Sequence, residues 1–193
     1  SNTSSAKYVG WTWLAGGRAS SNYNGSINTT VSANSTSGFS IVSYTGTGST
    51  ATVGHGLNAV PKFFVIKDRD STKAWVSYHA SLGATKGIFL EQTSAGNTSS
   101  TYFNNTSPTS SVFTIANSSH VNTSSDNYIA YCFAEKKGFS KFGSYTGNGN
   151  ADGTFVYLGF SPTWVMVKRS DGGTENWQIN DNKRKTFNVN STS

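Results

Sequence analysis

From residue 38 onward, apolar and polar side chains alternate as they do along strands with one buried face. Phe39 and Ile41 point one way, while Ser40, Val42 and Tyr44 point the other. Gly46-Thr47-Gly48 supplies a turn, and residues 51–57 form a second strand interrupted by Gly54 and Gly56. Residues 62–67, Lys-Phe-Phe-Val-Ile-Lys, are the most apolar run and are expected to be a central strand buried on both faces. Pro61 stands at its entry, where a missing N–H does least harm. Asp68-Arg69-Asp70-Ser71 reads as a turn. Strands over 74–78, 87–91, 112–115 and 127–135 complete the unit, with Phe64, Ile66, Phe113 and Tyr131 expected in its core. Helical periodicity is absent, so the pattern predicts an all-β fold, an antiparallel β-sandwich of jelly-roll-like form.

The pattern then repeats. Gly38-Phe39-Ser40 returns as Gly138-Phe139-Ser140, and Ser43-Tyr44-Thr45-Gly46 as Ser144-Tyr145-Thr146-Gly147. Pro61 and Lys67 match Pro162 and Lys168, and Trp75 matches Trp177. A register that drifts by only two single-residue insertions marks a duplication rather than shared composition. Tyr8-Val9-Gly10-Trp11-Thr12-Trp13 also lines up with Tyr128-Ile129-Ala130-Tyr131-Cys132-Phe133. The expected organisation is therefore three-part. Residues 1–37 hold the terminal strand (8–14) of a preceding unit and a connector with at most one short strand near 27–31. Residues 38–137 form a complete sandwich repeat. Residues 138–193 form the first half of a second, truncated repeat, with strands over 139–145, 154–158, 163–168 and 176–179 and a further candidate over 186–189. Its open edge is expected to pair with 8–14 or with another subunit, because bare edges are sticky. Repeat architectures of this kind are scaffolds and binders more often than enzymes.

Composition narrows the class. Ser, Thr and Asn contribute 31, 24 and 19 of the 193 residues, while charged residues make up only 12%. Aromatics reach 13% and are spread along the chain, which separates it from disordered polar sequences that lack anything to bury. The net charge of +6 comes from dispersed residues, with the densest group at Lys183-Arg184-Lys185. Solvated loop charge explains this better than nucleic-acid binding, and no nucleic-acid partner is expected. Cys132 is alone and falls on an alternating strand, so it reads as a buried, inert thiol. No apolar stretch approaches the ~18 residues of a membrane helix, and neither membrane insertion nor a signal peptide is expected.

Catalytic chemistry finds little support. His55, flanked by Gly54 and Gly56, has Val156 as its counterpart and reads as a histidine bonded to a nearby carbonyl at a tight backbone approach. His120 lies in a polar loop and is expected to be solvated. Asp68 and Asp70 could offer two carboxylates to a cation, but the copy, Arg169-Ser170-Asp171, keeps one; a turn balanced by Arg69 is preferred. No catalytic, cofactor or metal residues are assigned, and the chain is not expected to be an enzyme. Trp164 takes the place of Phe63 in the apolar strand and reads as core. The long polar stretch 92–111 carries Tyr102, Asn104 and Asn105, a flat apolar ring beside amides, which is the mix that carbohydrate recognition uses. These three, with Trp75 and His79 at a strand and its end, are the candidate glycan-binding residues.

An ordered series of strings runs from residue 38 to residue 171, within a likeness that covers nearly the whole chain from Tyr8: GFSIVSYTGTG, ATVGHGL, PKFFVIKDR, YHASLG, TSPTSSVF, YIAYCFAE, GFSKFGSYTGNGNADGTFVYLGF and WVMVKRSD. Together they resemble an uncharacterised repeat family in structural, tail-fibre-like proteins of marine bacteriophages, often adjoining concanavalin-A/laminin-G-like domains. The resemblance implies a non-enzymatic virion protein, made in the host cytoplasm and placed in a tail fibre or similar appendage as spacer, host-surface glycan binder, or both. Other virion subunits are the implied partners, with a homotrimer by analogy with fibres and host polysaccharide as ligand. Two alternatives stay open: a carbohydrate-binding module or adhesin of a marine bacterium, and a fragment of a phage depolymerase whose active site lies elsewhere.

Overall fold

A computed structural model describes residues 3–6, 8 and 10–183. Their elements, in chain order, are β1 (Ser20–Asn22), β2 (Thr29–Asn34), β3 (Phe39–Thr45), β4 (Ala51–Gly54), β5 (Pro61–Asp68), β6 (Val76–His79), β7 (Lys86–Phe89), β8 (Asn97–Thr98), α1 (Ser100–Phe103), β9 (Val112–Ile115), β10 (Asn127–Ala134), β11 (Trp164–Val167) and β12 (Gln178–Asp181). The fold is an all-β sandwich with unequal layers. An antiparallel sheet of eight strands runs β1-β2-β3-β10-β5-β6-β7-β8, and the pair β4-β9 forms a second layer. Ile27 bridges to Val53, linking the hairpin β1-β2 to that second layer.

Alternation sets the two faces of the large sheet. In β10, Tyr128, Ala130, Cys132 and Ala134 are buried on one face, while Ile129, Tyr131 and Phe133 are half-buried on the other. Across the ladders, Ala130 sits between Val42 and Ile66, and Cys132 between Ser40 and Phe64. This first face is the core. Phe64 stacks on Tyr78 at 4.8 Å and on Phe113 of β9 at 4.7 Å, and Phe103 of α1 meets it edge-on at 5.3 Å. Val53, Leu57, Ile115 and Val121 complete the cluster. Each fully buried side chain of this size stabilises the fold by about 1.5–3 kcal/mol.

Phe64, Ile66 and Phe113 are core as expected, but Tyr131 is not, since it shares the parity of Phe133 rather than that of Cys132. Residues 10–14 form no strand, and 15–37 supply two strands, β1 and β2, the second paired with β3. The strand at 51 stops at Gly54 because Gly56 (φ 69°) and Asn58 (φ 53°) turn the chain out of the ladder. Stretch 92–111 is not structureless. Ser99 caps α1 by accepting from the Thr101 N–H, and Asn104 (φ 51°) closes it by donating to the Ser100 carbonyl. Buried Tyr102 and Phe103 hold this turn to the sheet, a tertiary contact with no helical period to announce it.

In the second copy, 139–145 and 154–158 are not strands, and 186–189 lies outside the described residues. The hairpin β11-β12, however, repeats β5-β6 position for position. Phe63 faces His79 and Ile66 faces Val76; their counterparts Trp164 and Val167 face Asp181 and Gln178. Lys67 donates to the Ser71 carbonyl inside the first hairpin turn, and Lys168 donates to the Glu175 carbonyl inside the second. The β11-β12 pair has no ladder to residues 10–14 or to any other described strand.

One buried amide fixes the loop between β9 and β10. Asn122, fully buried, accepts from the Thr47 N–H at 2.6 Å and donates to the carbonyls of Ser49 and Ala116 at 2.6 and 2.8 Å. Tyr44 and Tyr128 stack at 5.2 Å and donate to the Val121 and Ser119 carbonyls of the same loop. Asn122→Leu removes these three hydrogen bonds, leaving the buried Ala116 carbonyl unpaired, and should destabilise the fold by about 1–3 kcal/mol, read as a lower urea midpoint at unchanged slope.

His55 is also fully buried. Its Nδ1 accepts from the Leu57 N–H at 3.2 Å, so Nε2 carries the proton and donates to the Thr109 carbonyl at 3.2 Å. Burial lowers its pKa against the opposing pull of that carbonyl. The unfolded chain therefore takes the proton first, and stability should fall as pH drops from about 6.5 toward the lower folded value. In urea titrations at stepped pH, His55→Gln should reduce this slope without abolishing it, because His79 and His120 are lowered as well.

Candidate functional site: the aromatic face of the sheet

The face opposite the core carries a row of rings whose positions follow from strand register. Phe133 of β10 lies between Phe39 of β3 and Phe63 of β5, with centroids 4.8 and 5.9 Å away. Such a row cannot remain in water without cost, and two distant segments cover it. Trp13 meets Phe39 at 6.5 Å and Phe133 at 5.9 Å, and Phe142 stacks on Phe63 at 6.4 Å. Trp164 stands edge-on to Trp13 at 5.8 Å. Trp164 is half-buried in this cluster rather than enclosed in a core, although its Nε1 is buried and finds no hydrogen-bond partner.

Further along the same face, Trp75 stacks on Tyr131 at 6.4 Å with an interplanar angle of 20°. Its backbone N–H donates to Glu91 Oε2. His79 leans on Phe63 at 6.2 Å, and burial lowers its pKa, which favours the neutral ring. His79 Nδ1 accepts from the Ser81 N–H. Trp177, the counterpart of Trp75, donates from Nε1 to the Phe89 carbonyl and so ties the second copy to β7. Backbone bonds from Glu175 to the Thr93 carbonyl and from Gly96 to the Ser170 carbonyl extend that seam.

The five sequence-flagged residues separate into two places. Trp75 and His79 share the aromatic face at the two ends of β6. Tyr102 lies under the opposite, core face and is only 6% exposed. Its ring meets Phe89 and His120 edge-on, and its hydroxyl accepts from Asn97 Nδ2 at 3.1 Å, so it offers no open ring to a ligand. Asn104 and Asn105 are exposed beside it, both in left-handed conformation. His120, expected in solvent, packs against Phe89 and Tyr102 instead. Trp13 and Tyr131 are not among the sequence-flagged site residues, and Tyr131, expected in the core, lies on this face instead. The parity of Tyr131 with Phe133 is the signal that finds it; the contact of Trp13 is long-range and has none.

Flat apolar surface stays accessible on this face at the half-buried rings of Trp75 and Tyr131 and at Trp13, which is 46% exposed, the kind of surface on which flat apolar groups stack. The acidic turn is committed elsewhere. Asp68 accepts from the Asp70 and Ser71 N–H groups and from Ser71 Oγ, and Asp70 Oδ2 accepts from the Asn127 N–H and side chain. Burial works to raise the Asp68 carboxyl, but these bonds hold it below its ordinary pKa. Burial pushes the Cys132 thiol up to about 12. Among the described residues no group of three His, Cys, Asp or Glu side chains could hold a metal ion, and no helix is long and apolar enough to cross a membrane.

No curated protein and no solved structure matches the chain. A family described as a domain of unknown function (DUF7483) matches residues 1–193, and the chain belongs to that family.

Proposed function

We propose that this chain is a non-enzymatic, repeat-built module of a bacteriophage virion, part of a tail fibre or similar appendage, acting as spacer and host-surface glycan binder. The observation that carries this reading is the hairpin β11-β12, which reproduces the register of β5-β6 after the two insertions. A supersecondary unit reused at this fidelity serves a scaffold, which gains length and contact surface by adding copies. The string-by-string likeness to marine phage structural proteins supplies the setting. On such a scaffold, Trp75 over Tyr131 offers a sugar ring a stacking surface, and Asn104 and Asn105 offer exposed amides elsewhere. Single sites of this kind are weak and gain strength from copies on an oligomer.

Location is tested first. An antibody raised against residues 38–137 should decorate an appendage of purified particles in electron micrographs; a protein found only in the soluble lysate overturns the virion reading. Binding is tested by Trp75→Ala in assembled particles. Adsorption to host cells should fall several-fold while the thermal unfolding of the variant stays within a few degrees of the parent. Unchanged adsorption removes the aromatic face from the binding surface and leaves the spacer role.

A further inference from the structure

At the opposite edge of the sheet from Trp75, a cleft opens between the hairpin β1-β2 and the loop that leaves β4. Its volume is about 310 Å³, at the small end of the ~300–1,000 Å³ typical of ligand sites. Glycines make it possible. A Cβ on Gly16 would stand 2.0 Å from the Ala33 carbonyl oxygen, and one on Gly54 would stand 2.0 Å from Asn22 Oδ1. Gly56, at φ 69°, lets the loop turn back over Val31. The segment before the cleft is fastened to β2, with Ser32 Oγ donating to the Gly17 carbonyl at 2.7 Å. One wall is therefore set by backbone packed against backbone, Gly16 on Ala33, and the other by glycine backbone packed closely against the side chains of Asn22 and Val31.

The lining is rich in donors and holds a single sign of charge. Arg18, Asn22, Asn24 and Asn58 line it together with two serines, and no carboxylate does. Asn22 Oδ1 is used internally, accepting from the Asn24 N–H at 3.0 Å, which leaves its NH₂ as the end open to a ligand. Arg18 makes no ion pair among the described residues. Tyr23, between two lining residues, is 71% exposed. Five guanidinium N–H groups and several amides suit a ligand that combines an anion with hydroxyls. The opening is too small and too sparsely basic for a nucleic-acid backbone, which calls for a track of cations.

We infer that this cleft, formed by Arg18, Asn22, Asn24 and Asn58, is a binding site for an anionic saccharide unit, its carboxylate or sulfate on Arg18 and its hydroxyls on the amides. The inference rests on the host-surface reading for its biological setting but names a different place from the Trp75 face. The second copy has no equivalent cleft signature, since the run Gly54-His55-Gly56-Leu57-Asn58 is replaced there by Phe155-Val156-Tyr157-Leu158-Gly159. Recognition thus sits where the copies diverge and the scaffold is not shared.

The test uses the whole chain, residues 1–193, titrated calorimetrically with a uronate oligosaccharide, a sulfated galactan oligosaccharide, a neutral oligosaccharide of the same length and a single-stranded oligodeoxynucleotide. One or both anionic saccharides should bind, the stronger identifying the anion, and added salt should weaken them. Arg18→Gln and Asn58→Asp should each weaken that binding at least about tenfold, as expected for losing or opposing one charged contact. Lys73→Gln, which removes an equal charge outside the cleft, should leave it unchanged. Equal binding of the neutral saccharide, preference for the oligodeoxynucleotide, equal loss in Lys73→Gln, or no saccharide binding by the folded chain each overturns the site. Failure here with the appendage labelling intact removes the cleft alone, and failure of the labelling with binding intact removes only the virion setting.

Discussion

The sheet depends on a strand that arrives late. β10 lies between β3 and β5, which are joined to each other only through it, and it pairs with each along seven positions. Until residues 127–134 return, β1-β2-β3 and β5-β6-β7-β8 are two separate half-sheets, each exposing apolar side chains on both faces. Closing the chain over that separation costs loop entropy before any contact rewards it. The polar apparatus around the entry to β10 makes sense in this light. Asn122, the stacked pair Tyr44 and Tyr128, and Asp70 with Asn127 all fix the approach of the strand rather than its body. Ala130 and Cys132 are small, so the core beside them is filled by large side chains of the neighbouring strands, Phe64, Ile66 and Tyr78, together with Phe113 of β9 and Phe103 of α1.

Much of this was legible in the sequence. The alternation at 39–44, the apolar run at 62–67 and the segments at 112–115 and 127–135 all became strands close to their expected limits, because local pattern and tertiary demand agree there. His55 bonded to a carbonyl followed from its flanking glycines. What the sequence hid was set by distance. β1 and β2 have no strong period, yet β2 becomes a strand because β3 offers it an edge. Tyr102 has the look of a surface ligand-binding ring and lies in the core because Phe89 and His120 come to meet it. The aromatic face was half legible, through Trp75 and His79, and half hidden, because its cover comes from Trp13 and Phe142.

The two copies show how far a pattern needs a partner. Phe39 and Tyr44 are 4% and 3% exposed, while their counterparts Phe139 and Tyr145 are 64% and 54% exposed. The letters are nearly the same, but a strand is half a structure, and without a neighbour to receive its hydrogen bonds the same alternation stays irregular. The hairpin β11-β12 escapes this limit because each of its strands brings the other. Trp13 on Trp164 repeats the ring spacing of Phe133 on Phe63, 5.8 against 5.9 Å, so the N-terminal segment supplies a side-chain contact of the closing strand without its ladder.

A strand clasped on both sides answers tension differently from one at a margin. Drawn along its own axis from residue 135 outward, β10 cannot be peeled one bond at a time, because the ladders to β3 and β5 take the load together, in shear. β1, three residues long at the sheet's border, can be unzipped singly. Stretching along the chain would thus spend the compliant margin first and hold the mechanical strength of the domain in reserve at its centre, where the last strand to arrive is the last to leave.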